Sequence, residues 1–208
     1  MIWIKWAVLP AAAYLLGSIP FGVVLTRRFA GIDIRREGSR NIGATNVRRL
    51  AGSKLAALTL AGDVLKGAVP VYAAIFLSVF DQVAARDAYV SVVALSALLG
   101  HLYPVYMKFK GGGKGVATAA GCFLIISPVS VVICVLVFML MVRWSNRVSA
   151  GSLSAAAVLP AAVWAVTGSV IYAGCAVMTA AWIGYRHRDN VRRLINGTEP
   201  LFRDKKSR

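Results

Sequence analysis

The residues best suited to chemistry lie in a short basic segment, Lys108–Thr118, with the sequence KFKGGGKGVAT. It contains three lysines and four glycines, and it stands between two apolar stretches. Glycine has no Cβ, so its backbone N–H can face a ligand closely, and lysine adds positive charge. The segment therefore predicts a binding site for an anion.

A second segment of this kind is Gly38–Arg49, with the sequence GSRNIGATNVRR. Its Ser, Thr and Asn side chains offer neutral hydrogen bonds, and the planar guanidinium of arginine matches the oxygens of a phosphate. An ordinary loop whose arginines orient a membrane protein is the alternative interpretation. From composition alone, the two interpretations are equally supported.

A third segment, Gly184–Glu199, has the sequence GYRHRDNVRRLINGTE. If it is helical, His187, Asn190, Val191 and Leu194 share one face. His187 could then act as a general base near neutral pH. Taken alone, the segment is better explained as an amphipathic helix that rests on anionic lipid.

Composition assigns the chain to the membrane. Of its 208 residues, 58% are hydrophobic and only 15% are charged, and the mean hydropathy is +0.68. The net charge of +16 does not indicate nucleic acid, because the basic residues lie between apolar runs. The three cysteines stand singly in apolar segments without metal-ligand spacing, so no metal or cofactor is expected. We expect an all-α integral membrane protein that forms a single domain over residues 1–208.

Seven membrane-spanning helices are predicted, and Pro20 and Gly22 are expected to bend the first. The region 116–142 could be one kinked span or two short spans that turn at Ser127-Pro128. The predicted spans are Trp3–Leu25, Leu55–Val79, Ala88–Tyr106, two within 116–142, Leu153–Ala165 and Ser169–Tyr185. The polar segments between and after them are residues 26–54, 107–115, 143–152 and 186–208.

The distribution of charge favours two spans at Pro128. With seven spans and an external N-terminus, 21 of the 24 Lys and Arg residues lie on the cytoplasmic side. A single span there would place the C-terminal tail opposite residues 26–54, against the positive-inside tendency. The seven-span topology puts all three segments (Gly38–Arg49, Lys108–Thr118 and Gly184–Glu199) on the cytoplasmic face, with the C-terminus there too.

Two charged residues, Asp63 and Lys66, lie inside the second predicted span. A lone charge in lipid is expensive, so these residues are expected to pair and to face the interior of the helix bundle. A structural ion pair is the favoured role, and support of an active site is the alternative.

At these residues the chain resembles the bacterial acyl-phosphate:glycerol-3-phosphate acyltransferases, small inner-membrane enzymes that begin phospholipid synthesis. The resemblance runs from the first span to the tail. It is carried by NIGATNVRR (Asn41–Arg49), GDVLKG (Gly62–Gly67), GHLYPVY (Gly100–Tyr106), GGKGVAT (Gly112–Thr118) and RHRDNVRRLINGTE (Arg186–Glu199).

The resemblance implies transfer of a fatty acyl group from acyl phosphate to the 1-hydroxyl of sn-glycerol 3-phosphate, without a cofactor. Beyond its two substrates and membrane lipids it implies no partner, and a monomer is expected. It assigns catalytic roles to His187, Asn190 and Lys114. It assigns acyl-phosphate binding to Ser39, Asn41, Gly43, Thr45, Asn46, Gly112 and Gly113. It assigns glycerol 3-phosphate binding to Arg49, Lys110, Lys114, Ser149 and Glu199. The base could be His187 or, with slight preference, a phosphate oxygen of the donor.

Two positions depart from the family pattern. Arg40 replaces the glycine of a Ser-Gly-Asn sequence, and Gly111–Gly113 makes three glycines where two are usual. A transporter of a phosphorylated small molecule and a lipid-binding scaffold are the alternative functions. The transporter is disfavoured because the charge lies at one interface rather than near the middle of the bilayer.

Overall fold

The structure is a computed structural model that describes residues 2–77 and 80–202, with side chains from Trp6 onward. The end of the second predicted span at Val79 and tail residues 203–208 lie outside the described residues. The helices form two compact units, unit 1 (Met1–Ile126) and unit 2 (Ser127–Arg208). The single domain expected from the sequence stays a prediction.

Unit 1 is built around one long helix. Its helices are α1 (Ile2–Gly17), α2 (Phe21–Ala30), α3 (Ala44–Leu77), α4 (Val83–Leu102) and α5 (Val116–Ile126), with a 3-10 turn at Val105–Met107. Helix α3 packs against each of the other four helices. The core of the unit includes the fully buried Val71 of α3 and Val90, Val93 and Ala97 of α4.

The helices of unit 1 are broken at two points, between α1 and α2 and at Gly52 within α3. The predicted bend of the first span is confirmed, since α1 ends at Gly17 and α2 begins at Phe21, after Pro20. Helix α3 begins eleven residues before the predicted boundary at Leu55, and Gly52 interrupts it with φ +84°. The polar segment 26–54 is therefore helical at both ends. Val47 explains the early start, because it is fully buried in an apolar cluster with Val23, Ile34, Ile42 and Ala56.

Unit 2 contains α6 (Pro128–Ser145), α7 (Val148–Thr167), α8 (Val170–Arg186) and α9 (Arg188–Ile195). Helix α7 packs between α6 and α8, and α9 packs on α7 and α8. The predicted gap between the spans Leu153–Ala165 and Ser169–Tyr185 is confirmed, since α7 ends at Thr167 and Gly168 follows in the left-handed region at φ +64°. The region 116–142 is two helices rather than one kinked helix, because Pro128 starts α6 after the non-helical Ser127.

Within the described residues, five helical segments are long and apolar enough to cross a membrane. They are Trp6–Ala30, Ala44–Leu77, Val83–Met107, Pro128–Ser145 and Val148–Thr167. Helix α5 is apolar but has only 11 residues. The seven-span count therefore stays a prediction.

Candidate active site

The first loop, residues 31–43, is organised by the buried side chain of Asn46. Its Nδ2 donates to the carbonyl oxygens of Ile34 (3.2 Å), Glu37 (3.3 Å) and Asn41 (3.0 Å). Its Oδ1 accepts from the backbone N–H of Ser39 at 3.0 Å. An amide has two donor hydrogens, so the donor capacity of Asn46 is used within the loop. In this structure Asn46 shapes the first loop.

The turn from the first loop into α3 is formed by Asn41 and Gly43. The Asn41 Oδ1 accepts from the N–H of Gly43 at 2.9 Å, and the carbonyl of Gly43 accepts the first helical bonds of α3. Arg40, just before this turn, has φ +56°, a left-handed conformation that favours glycine. The side chains of Ser39, Thr45 and Arg49 are exposed around the turn, which leaves them accessible to a ligand.

The first loop contains two acids, Asp33 and Glu37, and Asp33 forms ion pairs with two arginines. Its carboxylate accepts from Arg35 (Nη2, 2.6 Å) and from Arg27 (Nη2, 2.6 Å). The hydrogen bond from Arg35 is the main reason that the pKa of Asp33 lies well below its usual range. Asp33 is thus ionised at neutral pH and neutralises Arg27 and Arg35 near the start of the first loop.

The glycine loop, residues 108–115, lies against the C-terminal end of α4. A Cβ on Gly112 would overlap the carbonyl oxygen of Leu102, and a Cβ on Gly113 would overlap Nε2 of His101. The N–H of Gly113 donates to the carbonyl of His101 at 3.1 Å. These two glycines are needed for close packing, and the amide of Gly113 is already bonded within the protein. The sequence alone predicts that these glycines expose their amides toward an anion, whereas in the structure they allow the loop to pack closely on α4.

The remaining glycine-loop residues turn the chain and carry its charge. Lys108, Phe109 and Gly111 all have positive φ, so the additional glycine of this chain occupies a left-handed position. Lys110 is exposed and Lys114 is half-buried. The loop therefore presents at least one lysine to solvent.

The glycine loop and the first loop lie at the same end of unit 1. Met107, which directly precedes the glycine loop, packs against the apolar cluster of Val23, Ile34, Ile42, Val47 and Ala56 beneath the first loop. This contact brings together two of the segments that the sequence predicts to bind anions.

In unit 2, His187 lies at the junction of α8 and α9 and is buried. Its Nδ1 lies 2.8 Å from the carbonyl oxygen of Ile183. A carbonyl can only accept, so Nδ1 carries the proton in this hydrogen bond. In the neutral ring, Nε2 then carries the lone pair, which is the form that a general base requires.

Glu199 ties the chain after α9 back to that helix. Its carboxylate accepts from Asn190 Nδ2 at 2.6 Å and from Arg193 Nε at 2.7 Å. Burial raises the pKa of Glu199, but the nearby Ser149 hydroxyl and the hydrogen bonds from Asn190 and Arg193 outweigh it and hold the pKa below its ordinary value. Glu199 is therefore ionised at neutral pH and orients Asn190 and Arg193.

The start of α7 completes this group. Arg147 donates through Nε to the carbonyl oxygen of Glu199 at 3.2 Å. The buried Ser149 hydroxyl faces the same residue and lowers its pKa, although it makes no hydrogen bond of good geometry among the described residues. The predicted residues Ser149, His187, Asn190 and Glu199 thus all belong to unit 2, and the last two are in direct contact.

The predicted Asp63–Lys66 pair is confirmed, with Lys66 Nζ 2.7 Å from Asp63 Oδ1. The sequence does not predict His101 as a neighbour of Asp63, nor Arg147 and Arg193 as partners of Glu199. His101 Nδ1 lies 3.6 Å from Asp63. The available signals were a histidine in an apolar span, His101, and an acid in a basic tail, Glu199, because each requires a partner when buried.

Among the described residues, no group of three or more His, Cys, Asp or Glu side chains is arranged to hold a metal ion.

Comparison with known proteins matches this architecture to one family. The family model for glycerol-3-phosphate acyltransferase matches residues 7–197. The glycerol-3-phosphate acyltransferase of Syntrophotalea carbinolica is 50% identical over 192 residues, which cover 92% of this chain and 95% of that protein. That of Geobacter sulfurreducens is 44% identical over 196 residues, covering 94% and 97%.

Solved structures agree with these sequence matches. The fold is similar to a crystal structure of PlsY, an integral membrane glycerol 3-phosphate acyltransferase, in its glycerol 3-phosphate form. The TM-score is 0.88, with 37% identity and 96% of each chain covered. For the lysophosphatidic acid form of PlsY the TM-score is 0.86, with 36% identity and 95% coverage of each chain.

Proposed function

The chain belongs to the glycerol-3-phosphate acyltransferase family and is a multi-pass integral membrane enzyme, and from this premise we propose that its acyl donor is acyl phosphate. The product is then 1-acyl-sn-glycerol 3-phosphate, a lysophosphatidic acid, and the second product is inorganic phosphate. Membership of this acyltransferase family excludes the transporter and the lipid-binding scaffold as the main function.

The observation that carries the proposal is the group of cations at one end of unit 1. Met107 links the glycine loop to the apolar cluster beneath the first loop, so Lys110 and Lys114 share this end with Arg49. Both substrates of the proposed reaction carry a phosphate. Cationic side chains screen that charge, and Arg49 can bind phosphate oxygens in a bidentate manner.

Acyl phosphate suits these residues because it is a mixed anhydride with a good leaving group. The oxygen of the glycerol 1-hydroxyl forms a bond to the acyl carbonyl carbon, and the bond from that carbon to the phosphate oxygen breaks. The phosphate leaves with the electron pair, and the hydroxyl proton goes to a base. Alignment of the substrates and screening of charge are the catalytic contributions required.

The proposed roles divide between the two substrates. Ser39, Asn41, Gly43 and Thr45 bind acyl phosphate, and Asn46 holds the loop that carries them. Gly112 and Gly113 set how closely the glycine loop approaches α4. Arg49, Lys110 and Lys114 bind glycerol 3-phosphate. In unit 2, Ser149 contributes to binding of glycerol 3-phosphate, and Glu199 braces the basic residues Arg147 and Arg193.

Two groups compete as the base. A phosphate oxygen of the donor is slightly favoured, and His187 is the alternative because its Nδ1 bond to Ile183 leaves the lone pair on Nε2. Asn190 orients the reacting hydroxyl in either case. Substitution His187→Ala separates them: near-normal turnover with an unchanged pH profile excludes His187 as the base, whereas loss of the neutral-pH limb assigns it.

The membrane topology is also proposed. Seven spans with an external N-terminus place both groups of site residues on the cytoplasmic face and follow the positive-inside tendency. A reporter fused after Val166 tests this, because seven spans predict an external fusion point there. Cytoplasmic exposure of that reporter contradicts the topology without affecting the proposed reaction.

The donor is tested with purified enzyme in lipid nanodiscs and glycerol 3-phosphate. Acyl phosphate, acyl-CoA and acyl carrier protein thioester are supplied separately at equal acyl chain length. We expect lysophosphatidic acid with acyl phosphate only. Product formation from either thioester, and none from acyl phosphate, would refute the proposed donor while retaining the acyltransferase.

A further inference from the structure

Three ionisable side chains are buried together beneath the glycine loop in unit 1. Asp63 and Lys66 of α3 are 3% and 2% exposed, and His101 of α4 is 3% exposed. Lys66 Nζ lies 2.7 Å from Asp63 Oδ1, and His101 Nδ1 lies 3.6 Å from the same oxygen. Lys66 also donates to the carbonyl oxygen of Ile19 at 2.9 Å. The trio therefore connects α3, α4 and the break between α1 and α2.

Stabilisation of the folded protein alone does not explain why three ionisable side chains are buried together in apolar spans. Charges inside an apolar span lose hydration, and a buried ion pair is often no more stabilising than apolar side chains of the same volume. Intramembrane ionisable residues are more often tied to function. The contacts of His101 indicate which function.

The ring of His101 lies between the charged pair and the glycine loop. Its Nδ1 side faces Asp63, while a Cβ on Gly113 would overlap its Nε2. The backbone of His101 holds the same glycine, since its carbonyl accepts the N–H of Gly113 at 3.1 Å. Any rotation or displacement of the ring must therefore move Gly113, and the next residue is Lys114.

We propose that Asp63, Lys66 and His101 are positioning residues that set the place of Lys114. The Asp63 carboxylate faces the imidazole ring at 3.6 Å, Lys66 bonds both Asp63 and the carbonyl of Ile19, and the ring packs against Gly113. None of the three touches substrate. The inference rests on the proposed function, in which Lys114 binds the phosphate of glycerol 3-phosphate.

The experiment is a double-mutant cycle on kcat/KM for glycerol 3-phosphate. The first change is Lys114→Gln, which removes the charge but keeps an arm that can form hydrogen bonds. The second is the neutral double substitution Asp63→Asn with Lys66→Met, which removes both charges and leaves no unpaired ion. The third variant combines all three substitutions. Two residues that act through one contact give effects that do not add.

We expect Lys114→Gln to lower kcat/KM by about 10- to 100-fold, since it removes a charged hydrogen bond. The neutral double variant should lower it at least about tenfold by displacing the same lysine, and the triple variant should be no worse than Lys114→Gln alone. A purely structural trio would instead add its loss to that of Lys114→Gln. Such additivity overturns the inference.

Two other results separate this inference from the proposed function. If Lys114→Gln is impaired and the neutral double variant has normal kcat/KM, the positioning role is wrong and the proposed site stands. If Lys114→Gln itself has normal kcat/KM, the proposed role of Lys114 is wrong and the inference falls with it.

Folding is controlled in two ways. Thr59→Val is the matched control, because Thr59 is buried one turn before Asp63 and its hydroxyl donates to the carbonyl of Leu55 in its own helix. It should retain normal kcat/KM. If the neutral double variant does not fold, His101→Gln replaces it in the cycle, with the same non-additivity expected and additivity again overturning the inference.

Discussion

Substitution Asn46→Ala tests whether one buried amide holds the first loop. Asn46 is 1% exposed and contacts three carbonyl oxygens and one N–H of that loop. Its two donor hydrogens and its oxygen supply about three hydrogen bonds at a time. Alanine removes them all and leaves the carbonyl of the fully buried Ile34 without this donor.

The expected loss is large. A net contribution of about 1 kcal/mol for each hydrogen bond gives about 3 kcal/mol. At about 1.4 kcal/mol for each factor of ten, local opening of the loop becomes roughly 100-fold more frequent. The free energy lost belongs to the loop, so the rest of unit 1 should stay folded.

Limited trypsin digestion reports this opening, because the first loop contains Arg35, Arg36 and Arg40. When closing is faster than cleavage, the cleavage rate follows the population of the open form. Mass spectrometry of the fragments should show cleavage in residues 35–40 accelerated about 100-fold. Thr45→Ala is the control, since the Thr45 side chain is exposed, and its cleavage rate should match that of the parent.

The opposite pattern would refute this reasoning. If Asn46→Ala is cleaved at the parental rate but has a raised KM for acyl phosphate, Asn46 contacts the substrate and does not shape the loop. If both the cleavage rate and the KM for acyl phosphate equal the parental values, Asn46 neither shapes the loop nor contacts the substrate.

Three further predictions follow from individual positions. Arg40→Gly should stabilise the first loop by about 1 kcal/mol, since Arg40 has φ +56°; tryptic cleavage after Arg35 and Arg36 that is unchanged or faster would contradict this. Gly113→Ala should lower activity at least about tenfold, because its Cβ would overlap His101, whereas Gly174→Ala, with open space around the added Cβ, should retain activity. The pKa of Glu199 lies below its ordinary value of 4.5, so its ionised form stabilises the folded state above that pH and the contribution is lost as pH falls through the lower, folded value. Glu199→Gln should therefore show a smaller fall in Tm between pH 6 and pH 3 than the parent, and an equal fall would contradict the role of the carboxylate.

The sequence was most informative where a residue has few acceptable environments. Asp63 and Lys66 could only be buried as a pair, and the pair is observed. Pro128 starts α6 and Gly168 ends α7, because proline suits the first turn of a helix and glycine suits the left-handed position after the last turn. The family motifs then assigned the function, since several spaced motifs in order are far more specific than any composition.

Tertiary contacts could not be predicted from the sequence alone. The early start of α3 depends on burial of Val47 in a cluster formed with residues of α2 and the first loop. Gly113 is required by the ring of His101, a contact that sequence patterns do not show. The choice of Arg193 and Arg147 as partners of Glu199, among many arginines, likewise depends on packing of α7 and α9.

The central claim is acyl transfer from acyl phosphate to glycerol 3-phosphate with cleavage of the bond between the acyl carbon and the phosphate oxygen, and an oxygen tracer tests it most directly. Acyl phosphate is prepared with ¹⁸O in the oxygen that bridges carbon and phosphorus, and the products are analysed by mass spectrometry. The proposed reaction predicts one labelled oxygen in every phosphate released and none in the lysophosphatidic acid. Transfer of the phosphoryl group, or label retained in the lipid product, would contradict it.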